Sequence, residues 1–88
     1  MDNQRRKKIS KIEIKIEELS ELLKEIELEL EGIRDEEQEY LDSIPEILQS
    51  SEKYEKAENA TSVLDNAYEW ISQIDVEELT RSLYEAKL

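Results

Sequence analysis

Residues 9–33 read ISKIEIKIEELSELLKEIELELEGI, and the spacing of the apolar side chains in this stretch decides the fold. The steps between them alternate between three and four residues, which is the heptad repeat of a helix with one apolar seam. With Ile9 at heptad position a and Ile12 at position d, the pattern predicts a helix over residues 4–41. The predicted oligomer seam consists of Ile9, Ile12, Ile16, Leu19, Leu23, Ile26, Leu30 and Ile33.

A seam of this length needs a long partner surface, and the chain supplies one after Pro45. Proline cannot continue a helix and disfavours helical geometry at the preceding residue, so a turn is predicted over residues 42–50. A second helix is predicted over residues 51–74, with several small alanines that allow close approach of the backbones. Its apolar stripe consists of Ala57, Ala60, Leu64, Ala67, Ile71 and Ile74.

Beyond Ile74 the apolar register slips, and two alternatives remain for residues 76–87. Asp75 followed three residues later by Glu78 has the form of a helix cap, which favours a separate short C-terminal helix. A kinked continuation of the second helix is the other possibility. Antiparallel packing then predicts that the basic start, Arg5 to Lys15, lies beside the acidic end with Asp75, Glu77, Glu78 and Glu85.

The predicted fold is a single all-α domain over residues 1–88, an antiparallel helical hairpin or coiled coil. A chain of 88 residues with no Cys and no His has neither a disulfide nor a thiolate or imidazole metal site to stabilise it. We therefore expect it to oligomerise into a helical bundle, as a homodimer or a higher homo-oligomer.

The charge balance limits the classes of partner. Lys and Arg number 12 against 24 Asp and Glu, a formal net charge of −12. Such a surface repels phosphate backbones and anionic lipids, so we expect no direct nucleic-acid binding and no membrane association. The sequence shows no signal peptide and no apolar span, which predicts a cytoplasmic location.

The residue types also argue against catalysis. The chain has no His or Cys to support nucleophilic catalysis. Its single Gly excludes a glycine-rich phosphate loop. Carboxylates are abundant, but a helical hairpin offers little cleft in which to separate their pKa values. We expect no enzymatic activity, no cofactor and no metal.

Recognition is expected from aromatic and acidic side chains near the turn. Rigid amphipathic rings are enriched at protein contacts, although Tyr40 and Tyr54 could instead staple the turn. The acidic run over residues 25–42 is either a solvated surface or an imitation of a nucleic-acid backbone. The predicted partner-binding residues are Tyr40, Tyr54, Tyr68, Trp70, Glu36, Glu37 and Glu39.

The turn region resembles a group of small acidic helical proteins carried by bacteriophages, prophages and mobile elements, chiefly of Gram-positive bacteria. The resemblance lies in Pro-Glu-x-Leu-Gln at residues 45–49 and Ser-Glu-x-Tyr-Glu-x-Ala-Glu at residues 51–58, after the acidic run. It ends after Asn66, where Tyr68 and Trp70 stand in place of a repetitive Leu-Glu-Glu-Ala pattern. The resemblance implies a phage-related context in the host cytoplasm and carries no activity over.

Three functional hypotheses follow. The first is a phage-associated, non-enzymatic binding protein that counters or modulates a host defence factor by protein–protein interaction, with acidic nucleic-acid mimicry as one form of this hypothesis. The second is a structural or oligomerisation module. The third is an oligomer that sequesters a small signalling nucleotide, for which the chain offers few clustered cations outside Arg5 to Lys8.

Overall fold

The computed structural model describes all 88 residues, and every regular element in it is a helix. Helix α1 spans Asn3–Ser43, a short 3-10 helix spans Glu46–Leu48, α2 spans Glu52–Ser72 and α3 spans Glu77–Lys87. The predicted all-α antiparallel helical hairpin is confirmed. Association into a bundle remains a prediction.

Packing divides the chain into two compact units that share α1. The terminal unit combines Met1–Glu25 with Ile74–Leu88 and pairs the start of α1 with α3. The turn unit, Ile26–Gln73, pairs the end of α1 with α2. The chain predicted as one domain is therefore organised as two units, each with its own pair of helices.

The reversal of the chain in the turn unit follows from Pro45 and Ser51. Pro45 has φ −60° and ψ 148°, an extended conformation that separates the end of α1 from the short 3-10 helix. Ser51 caps α2, because its hydroxyl oxygen accepts the backbone N–H of Tyr54 at 3.2 Å. Glu52 and Glu55 lie in the first turn of α2, where carboxylates favour the positive end of the helix dipole.

Of the two alternatives for the C-terminal segment, the structure shows a separate helix, α3. Val76, which precedes α3, has φ −100° and ψ 0°, outside helical geometry. The Asp75 carboxylate accepts the backbone N–H of Glu77 at 2.9 Å and so satisfies one free donor at the start of α3. The capping pattern predicts that Asp75 pairs with Glu78, whereas the observed hydrogen bond is to the residue before it.

Each unit buries only one side of each helix. Ile16 in the terminal unit and Ala57 in the turn unit are the only buried residues, with 7% and 5% of their surface exposed, and no side chain is completely enclosed. Ala57 belongs to the alanine stripe of α2, and its burial agrees with the expectation that small residues of α2 pack against α1. Sixteen large apolar side chains remain exposed, so the packed interior is small for a chain of this length.

We expect Ala57→Leu to lower the free energy of unfolding by about 1–3 kcal/mol, because extra carbon atoms at a buried site force the helices apart. Urea denaturation measures this change. Ala86→Leu is the matched control, since Ala86 is exposed in α3. There the same substitution should change stability by less than about 0.5 kcal/mol. Equal effects at the two sites would contradict close packing at Ala57.

Candidate interaction surfaces

The packed face of α1 is displaced around the helix from the predicted seam. Positions a and e of the heptad, not a and d, lie against α2 and α3 and are buried or half-buried. We call the residues at one heptad position a row. The covered residues of rows a and e are Ile9, Glu13, Ile16, Ser20, Leu23, Glu27, Leu30, Arg34, Glu37 and Leu41.

The predicted seam therefore divides into two halves with different environments. Its row-a members, Ile9, Ile16, Leu23 and Leu30, face the intrachain partner helix. Its row-d members are between 40% and 50% exposed in the single chain: Ile12 and Leu19 in the terminal unit, Ile26 and Ile33 in the turn unit. These four residues of row d are thus exposed to solvent in the unit to which each belongs.

Polar contacts from row e explain the displacement in the terminal unit. The Lys87 ammonium group forms an ion pair with the Glu13 carboxylate, and both side chains are largely covered. The Arg6 guanidinium also donates a hydrogen bond to the Lys87 backbone oxygen at 3.0 Å. These contacts draw position 13 towards α3. The basic start of α1 lies in the same unit as the acidic end, as expected, but no ion pair joins it to Asp75, Glu77, Glu78 or Glu85.

Arg34 has the corresponding role in the turn unit. Its Nη1 donates to Asp65 Oδ1 on α2 at 3.2 Å, its Nη2 donates to Asp35 Oδ1 at 3.4 Å, and the guanidinium carbon lies 4.6 Å from the centre of the Tyr68 ring. Partial desolvation lowers the pKa of Arg34, but the hydrogen bonds and charges of Asp35 and Asp65 outweigh it and raise the pKa above its ordinary value. Arg34 thus stays charged and links α1 to α2.

The predicted aromatic residues divide by environment. Tyr68 is half-buried beneath Arg34, Tyr40 is half-buried with the Lys53 ammonium 5.8 Å from its ring centre, and Tyr54 is half-buried beside the cap of α2. These three rings pack within the turn unit. Trp70 is different, because 75% of its surface is exposed and no intrachain group covers it.

Trp70 stands on an outward strip of α2. Val63, one heptad earlier on α2, is also exposed, and Asn66, Glu69 and Gln73 surround the indole in a shallow depression of about 170 Å³. We call Val63, Asn66, Trp70 and Gln73 the Trp70 edge. An apolar ring framed by two amides and the Glu69 carboxylate has the composition of a contact centre with a polar rim. Apolar spacing alone does not single Trp70 out, since it falls outside the alanine stripe.

The predicted acidic residues do not form one surface. Glu36 and Glu39 are exposed, whereas Glu37 is half-buried in a groove of about 390 Å³ beside Tyr40, Lys53 and Lys56. Carboxylates of residues 25–42 point around the whole circumference of α1. No group of three or more Asp and Glu side chains is arranged to hold a metal ion.

A larger groove of about 610 Å³ lies in the terminal unit, and sequence reasoning did not anticipate it. Ile16 and Val76 contribute its apolar part. Its charged lining consists of Glu13, Glu17, Glu77 and the single cation Arg81. With three carboxylates against one guanidinium, the groove repels anions such as nucleotides.

No protein family, curated protein or solved structure matches the chain. None of the helices combines the length and apolar character needed to cross a bilayer. Ile12, Leu19, Ile26 and Ile33 of row d and the Trp70 edge of α2 are exposed apolar surfaces of the chain.

Trp70 is the only tryptophan, so fluorescence reports on the Trp70 edge alone. We expect emission typical of indole in water, efficient quenching by acrylamide, and little change of either on unfolding in urea, because the ring is already solvated. The control is Trp70→Phe combined with Tyr68→Trp, which moves the probe to the half-buried site beneath Arg34. That variant should emit at shorter wavelength and be protected from acrylamide. Protection of Trp70 in the wild type would contradict a free edge.

Proposed function

We propose that the chain is a non-enzymatic binding protein that acts by protein–protein contact through the Trp70 edge. The exposed indole carries this proposal. A tryptophan that is 75% exposed adds nothing to the packing of α2 against α1, yet it offers a partner the residue type most enriched at binding hot spots. The neighbouring amides of Asn66 and Gln73 supply a polar rim.

The shape of the edge indicates the partner's shape. Val63, Asn66, Trp70 and Gln73 follow steps of three and four along α2, so their side chains form one strip on a helix. A strip of this kind fits an apolar groove on another folded protein, the helix-in-groove mode of recognition. The net charge of −12 favours a groove with a basic rim.

The resemblance of residues 45–58 to proteins of bacteriophages and mobile elements supports a more specific partner class. In that context the partner is a host protein, such as a component of defence, and the site of action is the host cytoplasm. Nucleic-acid mimicry has less support, because the carboxylates of α1 point in all directions. Sequestration of a nucleotide has none, since the groove of about 610 Å³ in the terminal unit carries three carboxylates against one guanidinium.

A pulldown from bacterial host lysate tests the proposal. We expect wild-type protein to retain a host protein and Trp70→Ala to lose it, with an affinity at least about 30-fold lower once the partner is purified. Tyr84→Ala is the matched control, because Tyr84 is also exposed but lies in the terminal unit. It should retain the partner, as should the double variant Glu36→Gln, Glu39→Gln.

Two outcomes contradict the Trp70 edge as the binding surface. If the wild type and Trp70→Ala hold the same proteins with equal affinity, the indole is not the contact centre. If instead the partner is lost only when Glu36 and Glu39 are neutralised, acidic mimicry is the correct account. Circular dichroism of each variant shows whether its helices are intact.

A further inference from the structure

The open side of α1 carries a charge pattern that identifies its occupant. Row g lies next to row d on the same side of the helix, and it reads Lys8, Lys15, Leu22, Glu29 and Glu36. The two cations and the two carboxylates are placed symmetrically about Leu22, with opposite signs at equal distances. A helix with this pattern is complementary to a second copy of itself that runs in the opposite direction.

The four charged residues of row g have no partner within the chain. Lys8, Lys15, Glu29 and Glu36 are all exposed, and none belongs to any intrachain ion pair. By contrast, Glu13 and Arg34 of row e are already paired within the chain. Row g therefore has its charges free for an intermolecular contact.

Row d has the same symmetry in its apolar side chains. A centre beside Leu22 places Ile12 of one copy opposite Ile33 of the other, and Leu19 opposite Ile26. The other flank of α1 has no such row, since it consists of polar residues only. That flank, row b, contains Ser10, Glu17, Lys24, Glu31 and Gln38. Beyond row b, Ile14 and Leu28 are also exposed, but they alternate with the charged Glu21 and Asp35, so row d is the continuous apolar row on the exposed side of α1.

We infer that the occupant of this side is a second copy of the chain, with the two α1 helices antiparallel and their two-fold axis at Leu22. Lys8 then faces Glu36 of the other copy, and Lys15 faces Glu29, so that the symmetry forms every contact twice. A parallel pair in the same register would place like charges of row g at the same level. Charges flanking an apolar seam set the orientation of paired helices, and here they select the antiparallel one.

The pairing removes row d from water. Ile12, Leu19, Ile26 and Ile33 each have nearly half their surface to bury, which supplies an apolar centre flanked by the unlike charges of row g. The pairing involves α1 alone. It goes beyond the binding function proposed for α2 and does not depend on it.

A charge swap tests the register, with sedimentation equilibrium of the full chain as the measurement. Lys15→Glu places two carboxylates opposite each other at both symmetric sites, and Glu29→Lys places two cations there. Each single variant should weaken dimerisation by about tenfold, since two attractive pairs become repulsive. The double variant Lys15→Glu, Glu29→Lys should recover the wild-type dimerisation constant.

Two matched controls separate the pairing from general charge and solubility effects. Lys24→Glu changes the net charge as Lys15→Glu does, but on row b, and should leave the dimer intact. Leu22→Lys puts two cations at the two-fold axis and should abolish the dimer, whereas Leu28→Lys, at an exposed site away from rows d and g, should not.

A wild-type chain that stays monomeric at all concentrations overturns the inference. So does a double variant no better than the singles, or a Lys24→Glu variant as weak as Lys15→Glu. Trp70→Ala should dimerise like the wild type, so that loss of a host partner and loss of the dimer are read independently. Circular dichroism of each variant shows that altered association does not arise from unfolding.

Discussion

The structure depends on a mismatch between the apolar surface of α1 and the area that one neighbouring helix can cover. α1 is 41 residues long and carries apolar side chains in rows a and d, with a mixed row e beside them. A single packed helix covers about two adjacent rows. In both units the covered rows are a and e, whereas Ile12, Leu19, Ile26 and Ile33 of row d stay exposed. The small interior, with only Ile16 and Ala57 buried, follows directly from this mismatch.

The choice of row e over row d is made by polar contacts. Hydrophobic burial alone favours covering Ile12, Leu19, Ile26 and Ile33. Glu13 with Lys87, and Arg34 with Asp65 and Tyr68, instead hold the opposite flank of α1 against its neighbours. An isolated surface ion pair is weak, but Arg34 combines two carboxylates with an aromatic ring. The apolar row left outside is the surface on which we propose that a second copy of the chain packs.

Much of the fold could be predicted from the sequence, because its signals are local. The heptads of residues 9–33 specify α1, Pro45 specifies the reversal, and Ser51 specifies the start of α2. The face of α1 that packs within the chain could not be predicted, since a hydrophobic pattern treats Glu13 and Arg34 as solvent-facing. Their partners, Lys87 and Asp65, are far away in sequence and come close only in the folded chain.

The candidate site was predictable only in part for the same reason. Sequence placed Trp70 among four aromatic residues of equal rank, and the structure separates it from the three tyrosines by exposure. Tyr40 packs beside Lys53, and Tyr68 packs beside Arg34. Neither contact could be predicted from a local sequence pattern. The order of charges in row g, in contrast, can be read directly from the sequence. It indicates how two copies could pair only once the structure shows that the neighbouring row d is exposed to solvent.

The distance between spin labels on two copies of α1 tests the central claim most directly. The chain has no cysteine, so Lys11→Cys and Glu25→Cys each provide one unique attachment site on row c. An antiparallel pair centred at Leu22 predicts labels at position 11 displaced by about 33 Å along the helix axis, and labels at position 25 displaced by only about 9 Å along it, so that the second distance is much the shorter. Two equally short distances, as in a parallel pair, or no dipolar coupling between copies, would contradict the account.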